Sequence, residues 1–230
     1  MTVLHLADEG EAADLAAFLS RLIHYDRSAA VRLQAAGTAL AVFGRPPSFE
    51  VLAIRAVRLA KPYENGLDVT LDVTVSAGEL LESVDEAAGT AVVPAAVTGP
   101  PWAGVLPPRG GWRPEAGLPA PGELQAMVRA GVAEFRSRTQ ELAPERRTRA
   151  ELDRIGREIW SRTVGDTRLP VRAVHAAQSL GFLRVRGGTQ APDAAHLALF
   201  SSGAWLRLRT PYGSIAVRRA GLGALDVSVR

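Results

Sequence analysis

His24, Tyr25, Asp26 and Arg27 stand together in the run IHYDR, and these side-chain types could in principle move a proton. An imidazole would act as base, a carboxylate would orient it, and a phenol or guanidinium would steady an anion. Their place at the end of an apolar helical pattern points instead to a polar helix terminus. The other histidines, His5, His175 and His196, lie far apart. None shows the HExxH spacing that places two imidazoles on one helix face around zinc. His175 falls on the apolar side of a helical pattern and reads as a core-edge residue. Asp68 and Asp72 share one face of a strand pattern and could hold a cation, but a solvated strand face is the default reading. There is no cysteine, which excludes disulfides, thiolate nucleophiles and Cys-ligated zinc. No GxSxG, P-loop or strand-linked GxGxxG occurs, and RGGWRPEAG at 109–117 lacks the strand-to-helix setting of a phosphate loop. The expectation is a non-catalytic chain with no catalytic residues, no metal ligands and no cofactor.

The chemistry that does stand out is basic and aromatic. Trp205, Arg207 and Arg209 alternate with Leu206 and Leu208, so they share one strand face, and Arg218 or Arg219 on the next strand can add to it. Such a face suits an anionic contact, and Trp205, Arg207, Arg209 and Arg218 are the candidate partner-binding residues. A protein partner is the leading reading, and nucleic acid held by stacking and phosphate contacts is the alternative. Arg146, Arg147, Arg149, Arg154, Arg157 and Arg162 also crowd one region, but Glu145, Glu151, Asp153 and Glu158 interleave with them as on an ordinary salt-bridged helix.

These residues sit in a chain of 230 residues, 47% hydrophobic with few aromatics, so a sizeable core must be built from Ala, Val and Leu. Residues 1–93 carry 7 basic and 13 acidic side chains, and residues 94–230 carry 20 and 11. The halves therefore have opposite net charge; a coding bias toward Arg and Ala is the plainer reading, and mutual attraction or an anionic partner for the second half is the sharper one. The acidic start MTVLHLADEGEAAD lacks a basic and apolar leader pattern, and no apolar run is long enough to span a membrane. A soluble cytoplasmic protein without integral membrane association is expected. Self-association into a homodimer is left open.

The elements follow from period. Leu15, Phe18, Leu19, Leu22 and Ile23 predict a helix over 9–25 with Asp8 as N-cap. Strands are expected from Val31, from Leu40 after a turn at Gly37, over 49–59 after the RPPS turn, and over 67–75. In that last run Leu67, Val69, Leu71, Val73 and Val75 face inward, while Asp68, Thr70, Asp72 and Thr74 face water. Asn65-Gly66 reads as the turn before it. Ser76 and Glu79 form a capping box for a short helix that follows. Eight prolines then mark 94–121 as a strap or linker, and Trp102 and Trp112 within it suggest that it packs back on the protein. Helices are expected over 123–142, from Thr148 to Trp160, and over 170–180 with Gly181 as its cap. Strands over 182–186, 196–201, 204–209, 212–219 and 225–230 complete the reading.

The two ends of the chain repeat a phrase. Aligning Gly37 with Gly203 pairs Val31 with Leu197, Leu33 with Leu199, Leu40 with Leu206 and Val42 with Leu208, and LDVTVS at 71–76 answers LDVSVR at 225–230. The expected fold is α+β: two related lobes, each an antiparallel β-meander with a helix, an internal duplication arranged as a pseudo-dimer, plus a central helical segment. The boundaries are 1–93 for the first lobe, 94–121 for the strap, 122–165 for the helical segment and 166–230 for the second lobe. Ala39, Ala41 and Phe43, which correspond to Trp205, Arg207 and Arg209, should be covered where the basic face is open. The segment LDVTLDVTVSAGELLESV at 67–84, preceded by a helix and a meander, resembles the strand-then-helix passage of sterol-carrier-type lipid-binding domains. That resemblance implies a lipid or small-molecule carrier, a further alternative. The later strands of such a domain do not follow it.

Overall fold

The structure, a computed structural model, describes residues 2–60, 71–184 and 197–219. It is an α+β fold of antiparallel sheets. The first half contributes β1 (Val3–His5), α1 (Glu9–Tyr25), β2 (Ala30–Ala36), β3 (Ala39–Gly44), β4 (Leu52–Arg58), β5 (Asp72–Ser76), α2 (Ala77–Glu82), β6 (Val84–Asp85) and β7 (Thr90–Val92). After the strap strand β8 (Arg113–Glu115) come α3 (Pro121–Gln140), α4 (Arg149–Trp160), α5 (Val171–Ser179), β9 (Ala198–Ser202), β10 (Trp205–Thr210) and β11 (Gly213–Arg218).

Eight strands form one sheet in the order β5-β2-β3-β4-β11-β10-β9-β8, and β1, β7 and β6 form a small separate sheet. The three strands nearest the centre read outward in the same sense on both sides, β4, β3, β2 and β11, β10, β9; the outermost strand follows the meander in the first half, β5, and precedes it in the second, β8. In each half a helix precedes the meander, α1 before β2 and α5 before β9. Both first hairpins close through two residues whose leading glycine has positive φ, 58° at Gly37 and 52° at Gly203. An L side chain resists that conformation, so glycine holds both turns.

The helices cover one face. The α1 amides are capped by the Asp8 carboxylate, which accepts from the Glu11 N–H at 2.9 Å, and Leu15, Phe18, Leu19 and Leu22 turn inward. At the end of α5 Gly181 is left-handed, with φ 74°, and the Phe182 N–H donates to Ala177 O at 2.7 Å. This corrects the expected strand at 182–186: residues 181–183 form a turn and 184 is not in a strand, because the Phe182 amide closes the helix and its ring enters the core against Phe18. Residues 185–186, the expected strand at 225–230, the Asn65-Gly66 turn, Asp68 and His196 lie outside the described residues. The short helix after Ser76 stops at Glu82, and the strand β6 follows it directly.

The two half-sheets join at one seam, where Ser214, Ile215 and Ala216 pair with Ile54, Ala53 and Leu52. Arg55, 6% exposed, lies beneath it. Its Nη1 donates to Tyr212 O at 2.8 Å, and its Nη2 donates to Glu11 at 2.8 Å and to Asp14 at 3.3 Å. Asp14 also pairs with Arg184, and Glu50 with Arg172, so ion pairs do cross from the acidic half to the basic one. On and just after α3 and α4 several arginines are matched by carboxylates. Arg138 holds Glu158 by two bonds of 2.8 Å, Arg162 holds Glu134, and Arg154 holds Glu151.

Gly213 opens β11 where there is no room for a side chain. A Cβ there would stand 2.7 Å from the Phe182 ring and 2.9 Å from Ile54 O. We expect Gly213→Ala to cost about 1–3 kcal/mol of stability, seen as a lowered Tm in thermal melts. Gly104→Ala, with no atom within 4 Å of its new Cβ, should melt close to the wild type.

Candidate functional site

The face of the sheet turned away from α1 and α5 carries the residues that the sequence brings forward. Strand alternation and register place Trp205, Arg207 and Arg209 of β10 beside Arg218, Ala216 and Ser214 of β11. Beyond the seam the same face continues through Leu52 and Ile54 to Phe43 and Ala41. At the far edge it reaches Gln34, Arg32 and Asp72. All four candidate residues, Trp205, Arg207, Arg209 and Arg218, thus share one surface.

That surface is not open along its length. The strap crosses it: Ala96 bridges Val75, residues Pro101–Gly104 make a tight helical turn, and β8 pairs with β9. Trp102 and Leu106 pack on Phe43, Leu52, Ile54, Ala216 and Trp205 and form a second, small core over the seam. The expected contrast between a covered first half and an open second half is therefore corrected. Phe43 is buried, but Ala41 is half-buried and Ala39 and Ala56 are exposed, while Trp205 and Arg207 are half-buried. The cover lies over the middle of the sheet and leaves both flanks. Thr74, expected to face water, is buried for the same reason, since Gly99 and Ala103 of the strap approach it.

The arginines of this face differ from those of α3 and α4. Among the described residues none of Arg207, Arg209 and Arg218 has a carboxylate partner. Each instead lies over an aromatic ring, Arg207 at 5.8 Å from Trp112, Arg209 at 5.1 Å from Phe200 and Arg218 at 5.8 Å from Trp205. Burial first, and Arg209 second, pull the Arg207 guanidinium below its ordinary value. Its Nε is buried with no hydrogen-bond acceptor. Burial alone would raise Asp72, but hydrogen bonds from Arg32 and Gln34, with the charges of Arg32 and Arg109, hold it below the usual carboxylate range.

Two clefts flank the Trp102–Leu106 cover and share no lining residue. One, of about 400 Å³, has Leu52 and Ala216 in its floor, Trp102 and Trp205 in its walls, and Arg45, Arg172 and Arg218 around it, with Glu50 as a lining carboxylate. The other, of about 260 Å³, lies between Pro107–Trp112 and the outer face of β3 and β4. Sequence reading reached Trp205, Arg207, Arg209 and Arg218 by alternation, and it flagged the strap tryptophans. It missed Arg45, Arg109 and Arg172, which line the two clefts from the β3–β4 loop, the strap and α5.

Residues 1–104 match the family model described as domain of unknown function DUF8010, and residues 107–222 match domain of unknown function DUF8185. The second match spans half of the chain. The chain belongs to the DUF8185 family. No curated protein matches it. The DUF8185 half supplies β8 to β11 and the candidate arginines, while the DUF8010 match ends inside the strap at Gly104. Both halves contribute to each cleft.

The other titratable groups are arranged differently. Asp26 accepts from the Ser28 amide at 2.9 Å and the Ser28 hydroxyl at 2.7 Å, so it caps a turn after α1. No described group of three or more His, Asp or Glu side chains is placed to hold a metal ion, and no described helix is long and apolar enough to cross a membrane.

His175 stacks on Trp160 at 4.4 Å and meets Phe49 edge-on at 5.1 Å between ring centroids. Burial lowers its pKa from the ordinary 6.5. The folded state thus favours the neutral ring and the unfolded state takes the proton more readily. The contribution is fully present above the unfolded value and is lost as pH falls through the folded one. Urea unfolding at about pH 7.5 and about pH 5 should show a smaller loss of stability on acidification for His175→Phe than for the wild type.

Proposed function

We propose that the protein is a non-catalytic binding protein, and that it takes an acidic segment of a partner protein, bearing apolar side chains, into the cleft bounded by Trp102, Trp205 and Arg218. The observation that carries this reading is the pairing of an apolar floor with an excess of cations over carboxylates. Leu52 and Ala216 line the cleft together with Arg45, Arg172 and Arg218, against the single lining carboxylate of Glu50, which Arg172 approaches at 3.8 Å. Val105 at its rim is 49% exposed, the kind of isolated apolar surface that a partner's side chain covers. Alternating acidic and apolar side chains would meet both features, with the charge pattern supplying selectivity and on-rate.

The nucleic-acid alternative draws on the same arginines. It is less well supported because Trp205 and Phe200 already carry arginines near their rings and are half-buried, so neither offers an open stacking platform. The internal duplication also remains our reading, supported by the matching order of the three strands on each side of the seam and by the matching glycine turns.

The test uses a short fluorescein-labelled peptide of alternating glutamate and leucine, followed by fluorescence anisotropy. Binding should weaken about tenfold or more between about 50 and about 300 mM salt, and the Arg45→Glu, Arg218→Glu double variant should lose it. Equal binding of a lysine–leucine peptide, or unchanged binding by the double variant, would remove the proposal. A labelled oligothymidine that binds more tightly than the acidic peptide would replace it with the nucleic-acid reading.

A further inference from the structure

We infer that the second cleft, between the Pro107–Trp112 turn of the strap and the outer face of β3 and β4, binds a small organic carboxylate with a flat apolar body, and that Arg207 and Arg109 receive the carboxylate. This goes beyond the peptide reading and does not rest on it.

The floor is apolar and flat, since Ala41 and Ala56 pair across β3 and β4 with Phe43 and Ile54 beside them, and the short side chains leave the sheet surface within reach. The cover is a rigid one. Pro107 is buried, and the Trp112 indole N–H donates to Pro108 O at 3.0 Å, which fixes the ring. A planar body slid between Trp112 and the alanine floor would be apolar on both sides, the usual composition of a small-molecule site with a few polar groups to orient the ligand.

The polar groups at this cleft are cationic. Arg207 lines it beside Trp112, and its Nε is buried without an acceptor. A buried donor left unpaired is costly, and an anionic acceptor makes the stronger, charge-assisted bond. Arg109 lines the same cleft from the strap and has no carboxylate partner among the described residues. The acid whose charge Arg109 feels is Asp72, and its oxygens already accept from Arg32 at 2.7 Å and from Gln34 at 3.2 and 3.3 Å. Among the described residues no carboxylate pairs with Arg207 itself. Size sets the rest. A volume of about 260 Å³ falls below the range of about 300–1,000 Å³ typical for drug-sized ligands, so a one- or two-ring acid fits where a long acyl chain or a folded peptide does not.

The probe is naphthoate, compared by isothermal titration calorimetry on the full chain with the neutral naphthylmethanol, the cation naphthylmethylammonium and the aliphatic decanoate. Naphthoate should bind about tenfold or more tightly than the alcohol, and the cation should not bind. Arg207→Leu should bring naphthoate to the level of the alcohol. Ala56→Leu, which fills the floor from an exposed position, should abolish binding of both. If Arg207→Leu fails to fold, Arg109→Leu and Ala56→Leu carry the same comparison from exposed sites. The Arg45→Glu, Arg218→Glu variant should bind naphthoate as the wild type does, which separates this site from the peptide cleft. No naphthoate binding, equal affinity for acid and alcohol, or indifference to both arginine substitutions would overturn the assignment. Decanoate bound in preference to naphthoate would overturn the flat-body requirement.

Discussion

Everything in this molecule hangs on a seam three residue pairs long. At Leu52–Ala53–Ile54 and Ser214–Ile215–Ala216 two half-sheets become one, and each central strand loses the unpaired edge it would otherwise present. The side chains beneath explain why so short a ladder holds. Arg55 ties the Tyr212 carbonyl of one half to Glu11 and Asp14 of the other, and Asp14 reaches on to Arg184. Phe18 and Phe182 meet at 5.5 Å in the same core. Above the seam Trp102 and Leu106 seal the other face. A buried arginine of this kind is weak evidence of net stability, since its desolvation offsets much of its attraction. Its three-way bonding does define which strand lies beside which.

Local structure was largely legible in the residues. The α1 span, its Asp8 cap, the Ser76 and Thr148 caps and the Gly181 stop all depend on contacts a few positions apart. The alternation in 30–44 and 205–218 set the strand faces, and so put Trp205, Arg207, Arg209 and Arg218 on one surface. What could not be read were pairings between distant segments. Nothing local distinguishes Arg113–Glu115, with a proline in its middle, as the strand beside β9. It tolerates proline because it is an edge strand. The short β1, β6 and β7 leave too few residues for a period to show. The clefts were hidden for the same reason, since each combines strap residues with sheet residues far away in the chain.

The arginines around α3 and α4 and those of β10 and β11 differ in what faces them. On the helices several pair with glutamates, one turn apart as Arg154 with Glu151 or across the two helices as Arg138 with Glu158, and such exposed pairs contribute little each. Glu134, Glu151 and Glu158 are all held below the usual carboxylate range by the hydrogen bonds of those arginines. On β10 and β11 alternation forbids that arrangement, because the residues between the arginines point into the core. Aromatic rings take the place of carboxylates there, and a ring leaves most of a guanidinium's donors unused.

The strap has a consequence for how the two halves can be inherited. The boundary between the DUF8010 and DUF8185 matches falls at Gly104–Pro107, in the piece of chain that lies across the seam. A tether there keeps the halves at a high effective concentration, so a ladder too short to hold two separate proteins closes within one chain. Separated, each half would carry a bare central strand and half of a cover. The two domains are therefore one folding unit, and genetic exchange that parted them would yield two sticky fragments rather than two proteins.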